Sequence, residues 1–528
     1  MKLSGPTFDA LFTEELKLLY ALFGKNQYEL RIAGGPVRDL LMGIKPEDID
    51  LATTATPTQM KELFEKENIR MLHKKGEEHG TITCRLNDKE NYEITTLRID
   101  VVCDGRRAEV EYTTDWKLDA FRRDLTINSL FLGLDGTVYD YTGGTEDIKA
   151  RRVRFVGDAE QRIQEDYLRI FRYFRFFGRI ADRPDSHCKA TLETIKNNRE
   201  GIKSLSGERI WTEFKKILVG RFASELIRVM VKDCDLAEYL ALPSQYAREK
   251  LDIFKSISMN IKVLSSESEQ PLPSTVLAVL LENMEDVNKL NSRLKLSTVE
   301  KSLCEFIVEY RDEAKQRKDD LAFFRDLVLD NSFLYGVQAR DPSLRFTIEL
   351  LKYIGAKDTL QRLREWSEEE VMFPVNGLSL MTNGVPKGPK VKAILNYLHD
   401  LWKASDCKLT EDQLIHHALN DKIPSTPPRQ FRKRRWVQIS LFILFSIFQL
   451  PQGSLHPRYP FRSFENKDPE AKRVNVIPQK YRSFFGVNVQ LNGDFWPRKM
   501  TISAPRMPQG RQPLFRWSPQ QDLLHFLL

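Results

Sequence analysis

The chain has 528 residues, more than one hydrophobic core usually serves, so several domains are expected. Its 41% hydrophobic and 29% charged residues are ordinary for a globular protein and too polar for a polytopic membrane protein. The net charge of +7 says little about a nucleic-acid-binding body: residues 423–528 hold 17 Lys and Arg against 5 Asp and Glu, so that stretch carries +12 and residues 1–422 carry −5.

The opening MKLSGPTFDALFTEELK carries acids and no Arg, unlike a secretory signal or an Arg-rich transit peptide. A cytoplasmic chain, with access to the nucleus, is expected. Six cysteines, at positions 84, 103, 188, 234, 304 and 407, form no C-x-x-C and have no His at zinc-finger spacing, which fits a reducing compartment. Residues 7–24 place Phe8, Leu11, Phe12, Leu16, Leu19 and Phe23 at helical spacing and predict one amphipathic helix. Extended apolar runs follow at 30–33, 49–52, 80–86, 92–99 and 108–112, alternating with helical stretches at 37–42 and 57–67. Residues 1–149 therefore read as an α/β head built on one mixed sheet.

Within this head, ELRIAGGPVRDLLMGIKPEDIDLATTATP (29–57) sets Gly34 and Gly35 between a strand and a short helix. Missing side chains let the backbone approach a phosphate there, and Arg38, one turn on, can reach the same anion. Asp48 and Asp50 then sit at i and i+2; on a strand they share a face, where two carboxylates with water and substrate phosphate suit Mg²⁺. A D-x-D pair alone is more often solvated surface acid; what raises it here is the order of glycine turn, helix start, Arg and paired acids within a short span. Glu93, inside the run YEITTLR, offers a third carboxylate, the bland alternative being a Glu on the solvent face of an edge strand. In FRRDLTINSL (121–130) a helical reading places Asp124 and Asn128 at i, i+4, able to read a ribose hydroxyl while Arg123 contacts phosphate; a local ion pair in a helical turn is the plainer option.

Gly143-Gly144 and a basic stretch within 140–154 suggest a hinge. Strand signals then fade, and helical periods at 168–180, 190–199 and 207–219 predict a helical neck over 150–219, followed by a helical body and tail over 220–422. The fold class expected is α+β, an α/β head followed by all-α regions. In EDYLRIFRYFRFFGRI (165–180), Arg169, Arg172, Arg175 and Arg179 form a stripe opposite Ile170, Phe174 and Phe177. Stacked arginines repel unless an anion lies against them, and Asp166, one turn before Arg169, adds an acceptor, so that acid and guanidinium together suit a base edge. Beyond Lys422 the texture changes to a basic, Pro-rich, partly hydrophobic extension, expected to be disordered; its apolar run 436–450 is about 22 Å as a helix, too short for a stable membrane span.

The motifs GGPVRD with DID, RRDLTIN, DYTGGTEDI with VRFVGD, EDYLRIFRYFRF and SGERIWTEFKKIL occur in this order. Over about residues 1–420 the chain resembles the eubacterial and eukaryotic CCA-adding enzymes, nucleotidyltransferases of the polymerase-β-like superfamily. The resemblance implies a catalytic head, a neck that selects the base and a tRNA-binding body and tail. It implies addition of CCA to the tRNA 3′ end from CTP and ATP without a template, two Mg²⁺ ions, recognition of the acceptor arm, a monomer or homodimer, and a mitochondrial pool beside the cytoplasmic one. Asp48 and Asp50 match the metal-binding carboxylates and Glu93 the third. Gly34 lies in the same glycine turn, and Gly35, Arg38 and Arg123 match nucleotide contacts. Asp124 and Asn128 match the ribose-reading positions, and Asp166, Arg169, Arg172 and Arg175 those that choose between CTP and ATP. Glu208 and Arg209 match a motif that supports the neck helix. Pro36 and Phe121 depart from the family pattern without removing a group the chemistry needs. The competing expectations are a poly(A) polymerase of the same superfamily and a non-catalytic RNA-binding homologue.

Overall fold

In a computed structural model the described residues are 1–420, apart from 73–76, 78–79, 105–106, 266–269, 336–339, 369–370 and 389, together with 488–489 and 502–503. The chain divides into two compact units, Met1–Phe448 and Gln449–Leu528. Of the second unit only an antiparallel pair is described, Asn488–Val489 with Ile502–Ser503. The apolar run 436–450 lies outside the described residues; among those described, no helix is long and apolar enough to cross a membrane.

The predicted N-terminal helix is two helices, α1 (Pro6–Asp9) and α2 (Glu14–Lys25). Thr13, in extended backbone, accepts the Leu16 amide on its side-chain oxygen and starts α2 as an N-cap, which breaks the run although Phe8, Leu11, Leu16, Leu19 and Phe23 are all buried.

Among the described residues the head sheet has seven strands: β1 (Leu30–Ala33), β2 (Asp50–Thr53), β3 (Arg70–Leu72), β4 (Thr81–Leu86), β5 (Glu90–Thr96), and, later in the chain, Phe131–Leu132 and Val138–Tyr139. It is mixed as expected: β2 runs parallel to β5, and the other neighbours are antiparallel. The run 92–99 is not one strand. Leu97 donates to the Thr53 carbonyl and accepts from the Thr113 amide, and there the chain leaves the sheet for a separate hairpin, β6 (Arg98–Asp104) and β7 (Arg107–Tyr112). Helices α3 (Gly35–Leu41) and α4 (Pro57–Lys66) fall where the apolar spacing places them, α4 opening with a Thr56–Gln59 capping box.

After α5 (Trp116–Arg122) the predicted continuous helix around Asp124 fails: Arg123 is extended and only a 3₁₀ turn, Thr126–Asn128, follows. The predicted hinge is tightly tied. The Asp140 carboxylate accepts the amides of Thr142, Gly143, Gly144 and Thr145, which start α6 (Gly144–Lys149). Asp147, fully buried, takes the Thr126 hydroxyl at 2.6 Å and the Arg152 and Arg154 Nε groups at 2.7 and 2.8 Å.

From there the unit is helical: α7 (Ala159–Glu165), α8 (Leu168–Ile180), α9 (Lys189–Asn197), α10 (Gly207–Val219), α11 (Ala223–Arg228), α12 (Ser244–Leu264) and further helices to Asn420. α8 packs along α10, and one apolar core runs from Phe8 in the head to Ala418. Head and neck are thus continuous in packing, which sets α8 across a cleft from the interior strands that carry the acids.

Candidate active site

A cleft of about 1520 Å³ lies between the head sheet and the α8–α10 pair, and every candidate residue except Glu208 lines it. Its head wall begins where β1 gives way to α3. Gly34 has φ +69°, ψ −115°, and a Cβ there would stand 3.3 Å from the Asn128 carbonyl oxygen, so a side chain would be strained by the backbone and crowded by its neighbour. α3 turns Arg38 inward. Its guanidinium is buried and donates to Asn128 Oδ1 at 2.6 Å and to Asp39 Oδ1 at 3.0 Å. Burial, reinforced by the nearby Arg179 charge, holds Arg38 below its usual pKa. It lines the cleft as an internally bonded group, where the sequence suggested a free anion contact.

Asp50 is the first residue of β2, while Asp48 precedes the strand, so the two acids do not share a strand face as expected. They still meet at the cleft. Glu93 is the register neighbour of Asp50 on β5, an interior strand between β4 and β2, which rules out the edge-strand alternative. All three are solvent-exposed between the cleft walls. That enclosure, and after it the charges of Glu93 and Asp48, raise the Asp50 carboxyl above the usual carboxylate range, with Arg123 offsetting only part. No group of three or more His, Cys, Asp or Glu among the described residues forms a ready-made metal cage. Mutually repelling carboxylates of this kind fit Mg²⁺ nonetheless, since that ion typically takes one or two carboxylates and completes its shell with phosphate and water.

Behind the acids, Asp119 is buried and gathers two arginines, Arg122 at 2.7 Å and Arg123 at 3.0 Å. Arg123 also donates to the Asn128 carbonyl at 3.1 Å and lies over the Phe131 ring at 4.8 Å. The Asp124–Asn128 contact survives the loss of the helix, with Asn128 Nδ2 3.5 Å from Asp124 Oδ1. The other oxygen of Asp124 accepts Arg172 Nε at 2.6 Å. Burial pushes the Asp124 carboxyl up, but the Arg172 charge and hydrogen bond outweigh it and leave it below the usual range.

The neck wall corrects the idea that the arginine stripe waits for an external anion. Arg169 meets Glu165 at 2.6 Å and donates to the Arg162 and Arg122 carbonyls. Arg172 meets Asp124, and Arg179 meets Asp39 at 2.8 Å. Arg175 Nε stands 3.1 Å from Glu213 Oε2; neither atom has good hydrogen-bond geometry, yet the charges are in contact. Burial, with Arg172 and Arg38 alongside, pulls Arg175 down to about 10 in spite of Glu213. Each arginine of the stripe therefore carries its own acid. Asp166 is likewise not on α8: it caps α7 in extended backbone, accepts the Leu168 amide and binds Arg209 at 2.8 Å. Its acid pairs with Arg209, while Arg169 turns to Glu165.

Four contributors escaped the sequence reading: Asp39, Asp119, Glu213 and Phe176. Phe176 lines the cleft with the Arg175, Arg38 and Arg172 guanidiniums 4.3, 4.9 and 5.3 Å from its ring. Glu213 was detectable, since it sits among Ile210, Trp211, Phe214 and Ile217 on the buried face of α10, where an acid needs a partner. Glu208 is exposed and outside the cleft; Glu213, one turn further, braces the neck helix in its place.

Residues 30–154 match the family model described as the Poly A polymerase head domain, and 189–246 match one described as the probable RNA and SrmB- binding site of polymerase A. The chain is 50% identical over 421 residues to a Homo sapiens protein named CCA tRNA nucleotidyltransferase 1, mitochondrial, covering 79% of this chain and 92% of that protein. It is 36% identical over 222 residues to the CCA-adding enzyme of Bacillus pumilus, covering 42% of this chain and 53% of the relative. Its fold is similar, with a TM-score of 0.62 at 22% identity, to the crystal structure of the Bacillus stearothermophilus CCA-adding enzyme in complex with CTP, covering 79% of this chain and 98% of that one.

Proposed function

The chain belongs to the CCA tRNA nucleotidyltransferases, and on that premise we propose how its own residues carry out the reaction. The enzyme adds CCA to the 3′ end of tRNA by nucleotidyl transfer. The substrates are CTP, ATP and a tRNA that lacks all or part of its CCA, which the RNA 3′-hydroxyl extends by in-line attack on the α-phosphorus with release of pyrophosphate.

The observation that carries the assignment of residues is the meeting of Asp48, Asp50 and Glu93 at one wall of the cleft with the braced α8 arginines at the other. Asp48 and Asp50, with Glu93 beside them, would hold Mg²⁺, which when bound neutralises phosphate charge and eases loss of the hydroxyl proton. Gly34 and Gly35 leave room for the triphosphate backbone to approach. Arg123, held by Asp119, lies beside the acids. Asp124 and Asn128 orient Arg172 and Arg38 and border the space for the ribose. Asp166 and Arg209, with Arg169, Arg172 and Arg175 behind them, offer fixed acceptors and donors to a base edge, which supports choice between CTP and ATP by hydrogen bonding. We assign catalysis to residues 1–149, base selection to 150–219 and tRNA holding to 220–422. The mitochondrial naming of its relatives supports a mitochondrial pool, which we place beside a cytoplasmic one.

A head shared with poly(A) polymerases makes adenylation the second reading. Incubation with tRNA lacking CCA and each labelled nucleotide separates the two. Two CMP followed by one AMP supports the proposal, whereas AMP runs on RNA without CMP would replace it.

A further inference from the structure

The cleft continues past the base-selecting residues to Lys216, Gly220 and Arg221 at the far end of α10. Along that helix Arg209, Glu213 and Lys216 follow at i, i+4 and i+7, one face of α10. Arg209 is engaged by Asp166 and Glu213 by Arg175. Lys216 is different: it is exposed, and neither it nor Arg221 makes an ion pair among the described residues. At seven residues beyond Arg209, Lys216 lies about 10 Å down the helix from the base-selecting pair.

Arg221 sits on a turn that is built rather than loose. Lys262 donates to the Gly220 carbonyl at 2.9 Å, tying the turn to α12. A Cβ at Gly178 of α8 would stand 2.8 Å from the Arg221 carbonyl oxygen, so the close approach depends on glycine. Phe222 then takes φ 59°, ψ 22°, a left-handed conformation that bulky residues rarely adopt, and its ring lies 4.4 Å from the Arg221 guanidinium. These three constraints hold an unpaired cation at the cleft wall.

We propose that Lys216 and Arg221 form a phosphate track for the RNA strand whose 3′-hydroxyl reacts, an inference that rests on the tRNA-extending function above. The α8 arginines cannot serve a polyanion without abandoning their own carboxylates, three of them buried, whereas these two cations are uncommitted. The nucleotide triphosphate belongs with the carboxylates of the head, so the phosphates remaining for this end of the cleft are those of the RNA backbone.

The test uses the full chain with Lys216→Gln, Arg221→Gln and the double variant, with tRNA lacking CCA and tRNA ending in CC as probes. The double variant should raise the KM and Kd for tRNA about tenfold. It should flatten the dependence of log Kd on log salt by about 1.4, the share of two single-strand phosphate contacts. KM for CTP and ATP and the order C, C, A should not change. A raised nucleotide KM with an unaltered tRNA salt slope would assign the pair to the triphosphate and overturn the track. Unaltered tRNA binding in a wild-type background that adds CCA would overturn it too. Failure of the wild type to add CMP or AMP would instead overturn the functional reading itself.

Discussion

The two walls of the cleft treat charge in opposite ways. On the head wall Asp48, Asp50 and Glu93 face one another, and enclosure by the cleft walls and mutual repulsion raise the Asp50 carboxyl above the usual carboxylate range. On the neck wall each arginine of α8 is met by an acid from elsewhere: Glu165, Asp124, Glu213 or Asp39. A protein that leaves like charges together expects the counter-charge from outside, which in the function proposed above is a divalent cation with the triphosphate. One that neutralises its charges internally has built a rigid frame, suited to hydrogen-bond discrimination in which donors must not move.

The largest expected effect is at the unpaired acids. Asp50→Asn should lower the rate of both CMP and AMP addition by about 10³-fold, the scale on which loss of one charge-stabilising group acts. Binding of tRNA measured by filter retention should stay close to wild type. Addition of C retained while A is lost would break the idea of one shared metal site.

The paired wall should respond in stability before chemistry. Glu213→Ala leaves Arg175, and in part Arg172, without its acid, and should cost about 2 to 3 kcal/mol, somewhat less than a fully buried pair because Arg172 is partly exposed. Urea unfolding measures this; an unchanged midpoint would mean that the neck arginines need no internal counter-ion. Glu213→Gln, which keeps an acceptor, should lose less.

These partnerships explain what the sequence could and could not reveal. Strands β1, β4 and β7, helices α3, α4, α8 and α10, and the convergence of Gly34, Asp50, Glu93, Asp124 and Arg172 were legible, because period, turn glycines and motif order are local signals. The break at Thr13 and the exit at Leu97 were not: in both places the apolar pattern continues while a side-chain cap or a change of pairing partner redirects the backbone. The acids that neutralise Arg172, Arg175 and Arg179 lie 48, 38 and 140 residues away, so no local spacing links them and the stripe looked bare. Asp166 illustrates the same limit, since its one-turn offset from Arg169 suggested a pair that the chain direction at the end of α7 does not allow.

A smaller effect concerns pH. The Asp124 carboxyl is held below its ordinary value in the folded protein, so its contribution is complete above about pH 4 and is lost as the pH falls through the folded value. Asp124→Asn should therefore be less stable at pH 7 and should lose less further stability between about pH 5 and pH 2 than the wild type. Parallel acid unfolding curves for the two proteins would show that Arg172 does not hold this carboxylate ionised.

The central claim, that the head performs transfer while the braced neck chooses the base, is met most directly by one measurement: sequencing the 3′ ends that Asp166→Ala makes on tRNA lacking CCA in a mixture of CTP, ATP, UTP and GTP. The account expects extension to continue with mixed bases, discrimination between nucleotides falling by about 10- to 100-fold, the worth of a hydrogen bond removed from a fixed recognition site. An equal fall for every nucleotide, with only C, C and A still incorporated in order, would contradict it.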